Sequence, residues 1–173
     1  MFIRPLAEAC WSEYVANRLS SATANHTAVE AMTSTFADAL LRTKADIDSE
    51  IRSYRYHADL DRLMSLFQRH GEFLVRSACY VLGYIDGLNK PIEVLSADAA
   101  EALTDSYFEK TWLAVQEALR EMYLRYPKHW KDLTVYDGLA HAIEEYYDMM
   151  GLVLSTTDDG RAYVSVPFRP GTI

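Results

Sequence analysis

Apolar residues recur at helical spacing along most of this chain, and the pattern changes to strand-like runs only near its C-terminal end. From Pro5, a residue suited to a first helical turn, Leu6, Cys10, Trp11, Tyr14, Val15 and Leu19 predict a first helix. The stretch "SSATANHT" breaks the pattern and offers caps for a second helix from about Ala28 to Tyr54. Its stripe is Val29, Met32, Phe36, Leu40, Ile47 and Ile51, with charged residues filling the other faces from Arg42 onward.

"YHADLDRLMSLFQRHGEF" reads as a third helix with Leu60, Leu63, Met64 and Phe67 on its core face, and Gly71 as its stop or kink. The next segment, "EFLVRSACYVLGYIDGLN", is apolar nearly all round, which marks a central buried helix. A strand pair through "YVLGYI" and "PIEVL" is the competing assignment for residues 73–95. The small residues Ser77, Ala78, Cys79 and Gly83 favour helix. Ser96 or Asp98 can cap a short helix over "AAEAL", and Thr104 the one after it. Phe108, Trp112, Val115, Leu119, Met122 and Tyr126 then step by 4, 3, 4, 3 and 4, the cleanest bundle-helix stripe in the chain.

After the turn "YPKHWKDLT", Val135 to Met150 forms a last helix, and it runs into two β-rich segments, "LVLST" and "AYVSV". Asp159-Gly160 between them predicts a hairpin, because such turns need positive φ. The expectation is a mostly α, multi-helix bundle-like single domain over 1–173 with a C-terminal β-hairpin. Residues 1–126 make the helical body, and 127–173 a helix-plus-hairpin subregion.

Helix followed by hairpin resembles the last helix and wing of the winged-helix superfamily, over about the last 40 residues. On that resemblance the chain is a degenerate winged-helix end, and the function implied is DNA-binding regulation, with Arg161 and Arg169 near the wing as the phosphate contacts. One departure is that "PKHWKDL" leaves room for one helical turn at most before the last helix.

Charge argues against DNA. At 100° per residue, Val135, Leu139, Ala142, Ile143, Tyr146, Met149 and Met150 share one arc of the last helix. Opposite lie Asp137, His141, Glu144 and Asp148, edged by Glu145 on one side and by Tyr136 and Tyr147 on the other, and the helix has no Lys or Arg. A recognition helix must face phosphates, which this row repels. From Glu121 onward there are 5 basic and 8 acidic residues, and the whole chain carries a net charge of −8. Nucleic acid and anionic membrane are disfavoured as partners.

The same face, Tyr136, Asp137, His141, Glu144, Tyr147 and Asp148, suits docking on a basic protein surface. A solvated amphipathic face is the plainer explanation. The leading expectation is therefore a non-catalytic cytoplasmic interaction module, acting as adaptor, regulatory subunit or stoichiometric inhibitor. The alternatives are the DNA-binding regulator and an enzyme whose site is assembled from distant residues.

Chemistry gives little to set against this. His57 with Asp61 and His141 with Glu145 stand four apart, a spacing that serves surface pairs more often than metals. No nucleophile elbow, P-loop or dinucleotide fingerprint is present, "TTDDG" has too few oxygens for calcium, and His129 has no evident partner. No metal or cofactor is expected. Cys10 and Cys79 lie in apolar helical patterns and read as buried free thiols in a reducing compartment. The start of the chain does not read as a secretory signal, since Glu8 and Glu13 interrupt it, and the longest apolar run is 13 residues and carries Arg76. The chain has 12 tyrosines, clustered in "SYRYH", "EMYLRYP" and "EEYYD", which suit a partner interface or a homo-oligomer contact.

Overall fold

The computed structural model describes residues 3–159, 161–170 and 172. Leu6, Cys10, Trp11 and Tyr14 bury one side of α1 (Ile3–Ser20), with Pro5 in its first turn. A short 3-10 turn, Ser21–Thr23, leads to α2 (His26–His57). Asn25 caps α2, its side chain accepting from the Ala28 N–H at 2.8 Å. α2 is longer than its stripe predicts because Ala58, with a φ of 52°, supplies the left-handed stop only after His57. Within the stripe Met32 is exposed, and Thr33 takes the inward position.

Asp59 caps α3 (Leu60–Phe67), but Gly71 neither stops nor ends it. The chain widens through one π turn, Gln68–Glu72, and continues directly into α4 (Phe73–Leu88). A Cβ on Gly71 would stand 2.8 Å from the Phe67 ring and 3.5 Å from Ile47 of α2. The glycine therefore marks close approach inside a helix, not an end. The segment 73–95 contains no strand. Ile92–Leu95 forms α5, a single turn, ahead of α6 (Ala97–Leu103), which Ser96 caps.

Thr104 does not cap the following helix. Its hydroxyl donates to the Ala100 carbonyl at 2.9 Å and closes α6. α7 (Glu109–Arg125) starts after Phe108, and Phe108, Trp112, Val115, Leu119 and Met122 are all buried. Tyr126, the last position of the predicted stripe, lies past the helix end and is 46% exposed.

The last helix is shorter than the predicted Val135–Met150. A 3-10 turn, Leu133–Tyr136, precedes α8 (Asp137–Met149). β1 (Val153–Thr156) and β2 (Ala162–Ser165) pair antiparallel, with Val153 opposite Ser165 and Thr156 opposite Ala162. The Thr157 N–H donates to the Arg161 carbonyl at 2.9 Å, so three residues, not two, separate the paired positions. Gly160 of the predicted Asp159-Gly160 turn lies outside the described residues. Only the turn after Arg125 and a 3-10 segment separate α7 from α8, where a winged-helix domain would place a helix.

α4 is the centre of the bundle, buried on nearly all sides. α1 runs parallel to it, and glycines set their closeness. A Cβ on Gly83 would stand 2.6 Å from the Tyr14 carbonyl oxygen, and one on Gly87 2.4 Å from that of Arg18. At the end of this seam, Asp86 ties three helices together with its side chain only 7% exposed. It accepts from the Tyr14 hydroxyl at 2.6 Å and from the Arg120 guanidinium at 2.6 and 3.0 Å, with Arg18 at 3.4 Å. Arg18 in turn lies 3.7 Å above the Tyr123 ring. A carboxylate this buried is tolerated because its lone pairs are filled by charged and hydroxyl donors.

Candidate docking face

α8 buries Leu139, Ala142, Ile143, Tyr146 and Tyr147 against the bundle. Spacings of 4, 3 and 4 leave Asp137, His141, Glu144 and Asp148 exposed in one row. Of the two predicted flanking tyrosines, neither borders this row as an open anchor. Tyr147 is 1% exposed, and its ring packs at a tilt against that of Phe67, 4.5 Å between centroids. Its hydroxyl donates to Glu72 at 2.8 Å, and it cannot meet a partner. Burial, with Glu72 beside it, raises its pKa far above the ordinary tyrosine value. Tyr136 is half-buried, edge-on to Trp130 at 5.5 Å, so it offers a rim contact at most.

The row's charges are partly answered by cations from other elements. Arg4 of α1 reaches Asp137 at 3.3 Å, and Lys110 of α7 reaches Glu145 at 3.7 Å. Arg169 engages both the carboxylate and the carbonyl of Asp148. Glu145 also lies 3.7 Å from His141. Glu144 has no partner among the described residues. Side chains in these pairs are about a third or more exposed, and pairs of that kind contribute roughly 0–1 kcal/mol each. A docking guanidinium could therefore replace any of them at little cost. Two clefts of about 200 Å³ flank the row along the α7–α8 seam, one by Lys110, Glu145 and Asp148, the other by Arg125, Thr134 and Gly138.

The two arginines that the winged-helix resemblance offers to phosphates are both engaged by carboxylates. Arg161 lies 3.2 Å from Asp159, and Arg169 is held by Asp148. His57 and Asp61 do not share a helix face, since the left-handed Ala58 ends α2 between them. His129 is exposed.

Sequence spacing gave no hint of one further pair, His70 and Asp46. The π turn carries His70 to α2, where its Nδ1 lies 3.3 Å from the Asp46 carboxylate, in a cleft of about 470 Å³ that Arg42 and Arg69 also line. The pair could orient an imidazole as a base. The hydroxyl of Thr43, which also lines the cleft, donates to the His70 carbonyl at 3.5 Å and not to the imidazole. Among the described residues, no three His, Cys, Asp or Glu side chains gather as a metal centre would. Cys10 and Cys79 are both buried across the α1–α4 seam, and burial, with Cys10 alongside, pushes the Cys79 thiol well above its usual pKa. Among the described residues, no helix is long and apolar enough to cross a membrane.

No protein-family model matches the chain, and neither a curated protein nor a solved structure shows detectable similarity to it.

Proposed function

We propose that the chain is a non-catalytic protein-interaction module, an adaptor, regulatory subunit or stoichiometric inhibitor, that docks on a basic protein surface through the outer face of α8. The observation that carries this reading is the exposed row Asp137, His141, Glu144 and Asp148 on a helix without a single Lys or Arg. Its existing cation partners sit in solvent-exposed pairs, so a partner's arginines exchange with them and do not have to displace buried contacts. Tyr136 adds a half-buried aromatic rim, while Tyr147 supports the helix from within. Two unpaired buried thiols are in keeping with a cytoplasmic setting. Duplex DNA has weaker support as a partner, because the acidic row and the net charge of −8 oppose a polyanion.

The test is capture from native lysate with the full chain, its Glu144→Lys variant and a control reversal, Asp38→Lys, on α2. Each is run with and without nuclease. Proteins retained by the parent and the control but lost with Glu144→Lys and in high salt support the reading. Retention by Glu144→Lys, or loss on nuclease treatment alone, sinks it.

A further inference from the structure

The hairpin leaves one backbone edge open, and its parity can be read from a single hydrogen bond. The Thr157 N–H donates to the Arg161 carbonyl, and the Arg161 N–H returns to the Thr157 hydroxyl, so 157 and 161 stand at a hydrogen-bonded position of the ladder. In an antiparallel ladder such pairs alternate with non-bonded ones. With the observed register, Ser155–Tyr163 and Val153–Ser165 are then bonded pairs, and Thr156–Ala162 and Leu154–Val164 are not. The N–H and C=O groups of Ala162 and Val164 therefore point away from β1, in series with those of Val166.

Val166 confirms this direction and shows what the edge accepts. Arg55, near the end of α2, donates to the Val166 carbonyl at 2.6 Å and to that of Pro167 at 2.7 Å, while its guanidinium lies 4.1 Å from the centre of the Phe168 ring. Among the described residues, the corresponding groups of Ala162 and Val164 have no such partner. They border a groove of about 500 Å³ between β2 and the helix opposite, whose far wall is Leu60, Asp61, Met64, Ser65 and Gln68. No Lys or Arg lines this groove, and the Asp61 carboxylate has no partner among the described residues. A row of open backbone groups beside a wall of mixed apolar and polar side chains is the arrangement that captures extended peptides by strand addition.

We infer that the outer edge of β2 binds an extended, basic peptide segment of a partner protein, which pairs with Ala162 and Val164, sets an apolar side chain against Leu60 and Met64, and places a Lys or Arg opposite Asp61. The net charge of −8 favours the same sign of partner at longer range. This surface is distinct from the α8 row, and its occupation does not depend on that row being used.

The probe is a labelled peptide of alternating Val and Lys, used with the 173-residue chain. Three controls accompany it: the same peptide N-methylated at alternate residues along one edge, a Val/Glu counterpart, and the Glu144→Lys chain. Binding is followed by fluorescence anisotropy and by amide hydrogen exchange. The expected result is binding that slows exchange at Ala162 and Val164 at least tenfold, a tenfold or greater loss with either the methylated or the Glu peptide, and undiminished binding to Glu144→Lys. An Asp61→Asn chain should lose most of the discrimination between the Lys and Glu peptides. The inference is overturned if the Val/Lys peptide does not bind, if methylation leaves its affinity unchanged, or if exchange at Ala162 and Val164 does not respond. It is equally overturned if those amides are already protected in the free chain in a concentration-dependent way, which would assign the edge to a second copy.

Discussion

The Tyr147 hydroxyl donates to the Glu72 carboxylate over 2.8 Å, joining α8 to the π turn between α3 and α4 across 75 positions of sequence. Its neighbour Tyr146 is as deeply buried, yet its hydroxyl has no partner among the described residues. The two tyrosines should respond oppositely to loss of the hydroxyl. Tyr147→Phe is expected to cost about 1–2 kcal/mol, since it strands a partly buried carboxylate. Tyr146→Phe is expected to be neutral, or to stabilise by up to about 1 kcal/mol, since it removes a polar atom that pairs with nothing. Urea unfolding of both variants decides this, and equal losses would contradict it.

Glu72 supplies a pH dependence. Burial raises its pKa above the ordinary carboxyl value and outweighs the opposing pull of the Tyr147 hydroxyl and the Arg76 charge. The native state thus disfavours the ionised form. The contribution of this group to stability is complete below the ordinary carboxyl range and is lost as pH rises through the raised value. Glu72→Gln cannot ionise and keeps an acceptor for Tyr147. Its stability relative to the parent should therefore increase between about pH 4 and pH 7, as read from urea midpoints at the two pH values. A constant difference would show that the carboxyl does not titrate within this window.

Both seam glycines should resist replacement, and Gly83, the buried one, is the clearer test. An alanine there pushes a methyl group 2.6 Å from the Tyr14 carbonyl oxygen, in a backbone contact between two packed helices. The expected loss is about 2 kcal/mol or more. Gly138, in the first turn of α8, meets nothing within 4 Å, so Gly138→Ala should gain up to about 1 kcal/mol from helix propensity. Thermal melts of the pair, with helical content checked, test both signs.

Asp86 should be the costliest single polar residue. Asp86→Ala removes the acceptor shared by Tyr14, Arg18 and Arg120 and is expected to cost about 3 kcal/mol. Arg120→Ala should cost about 1 kcal/mol, because that side chain is half exposed and the other two donors remain. Unfolding free energies of the two single variants check the ranking.

Helix positions were largely legible in the amino-acid pattern, because burial against one central helix imposes the 3.6-residue period that the stripe of α7 displays. Legibility failed where two distant segments decide one residue's setting. Gly71 reads as a helix stop or kink; the helix does not stop there but swells through a π turn, with Phe67 and Ile47 packed on the glycine. Thr104 has the chemistry of an N-cap but is spent closing the helix before it. The row on α8 was visible as a charge pattern, whereas the burial of Tyr147 was not. It sits at the boundary between the polar and apolar arcs, and the group that draws it inward, Glu72, belongs to another helix. His70 and Asp46 are 24 positions apart on different helices, a separation that no periodicity registers.

The parallel seam of α1 and α4 also orders events in time. Fifty-two residues, 21–72, are synthesised between the end of α1 and the start of α4. At roughly 5–20 residues per second, the face carrying Ile3, Leu6, Cys10 and Tyr14 waits for seconds on the ribosome without the helix that covers it. The glycines at 83 and 87 that admit α1 so closely arrive later still, so α1 cannot lock into place until nearly the whole of α4 has been made.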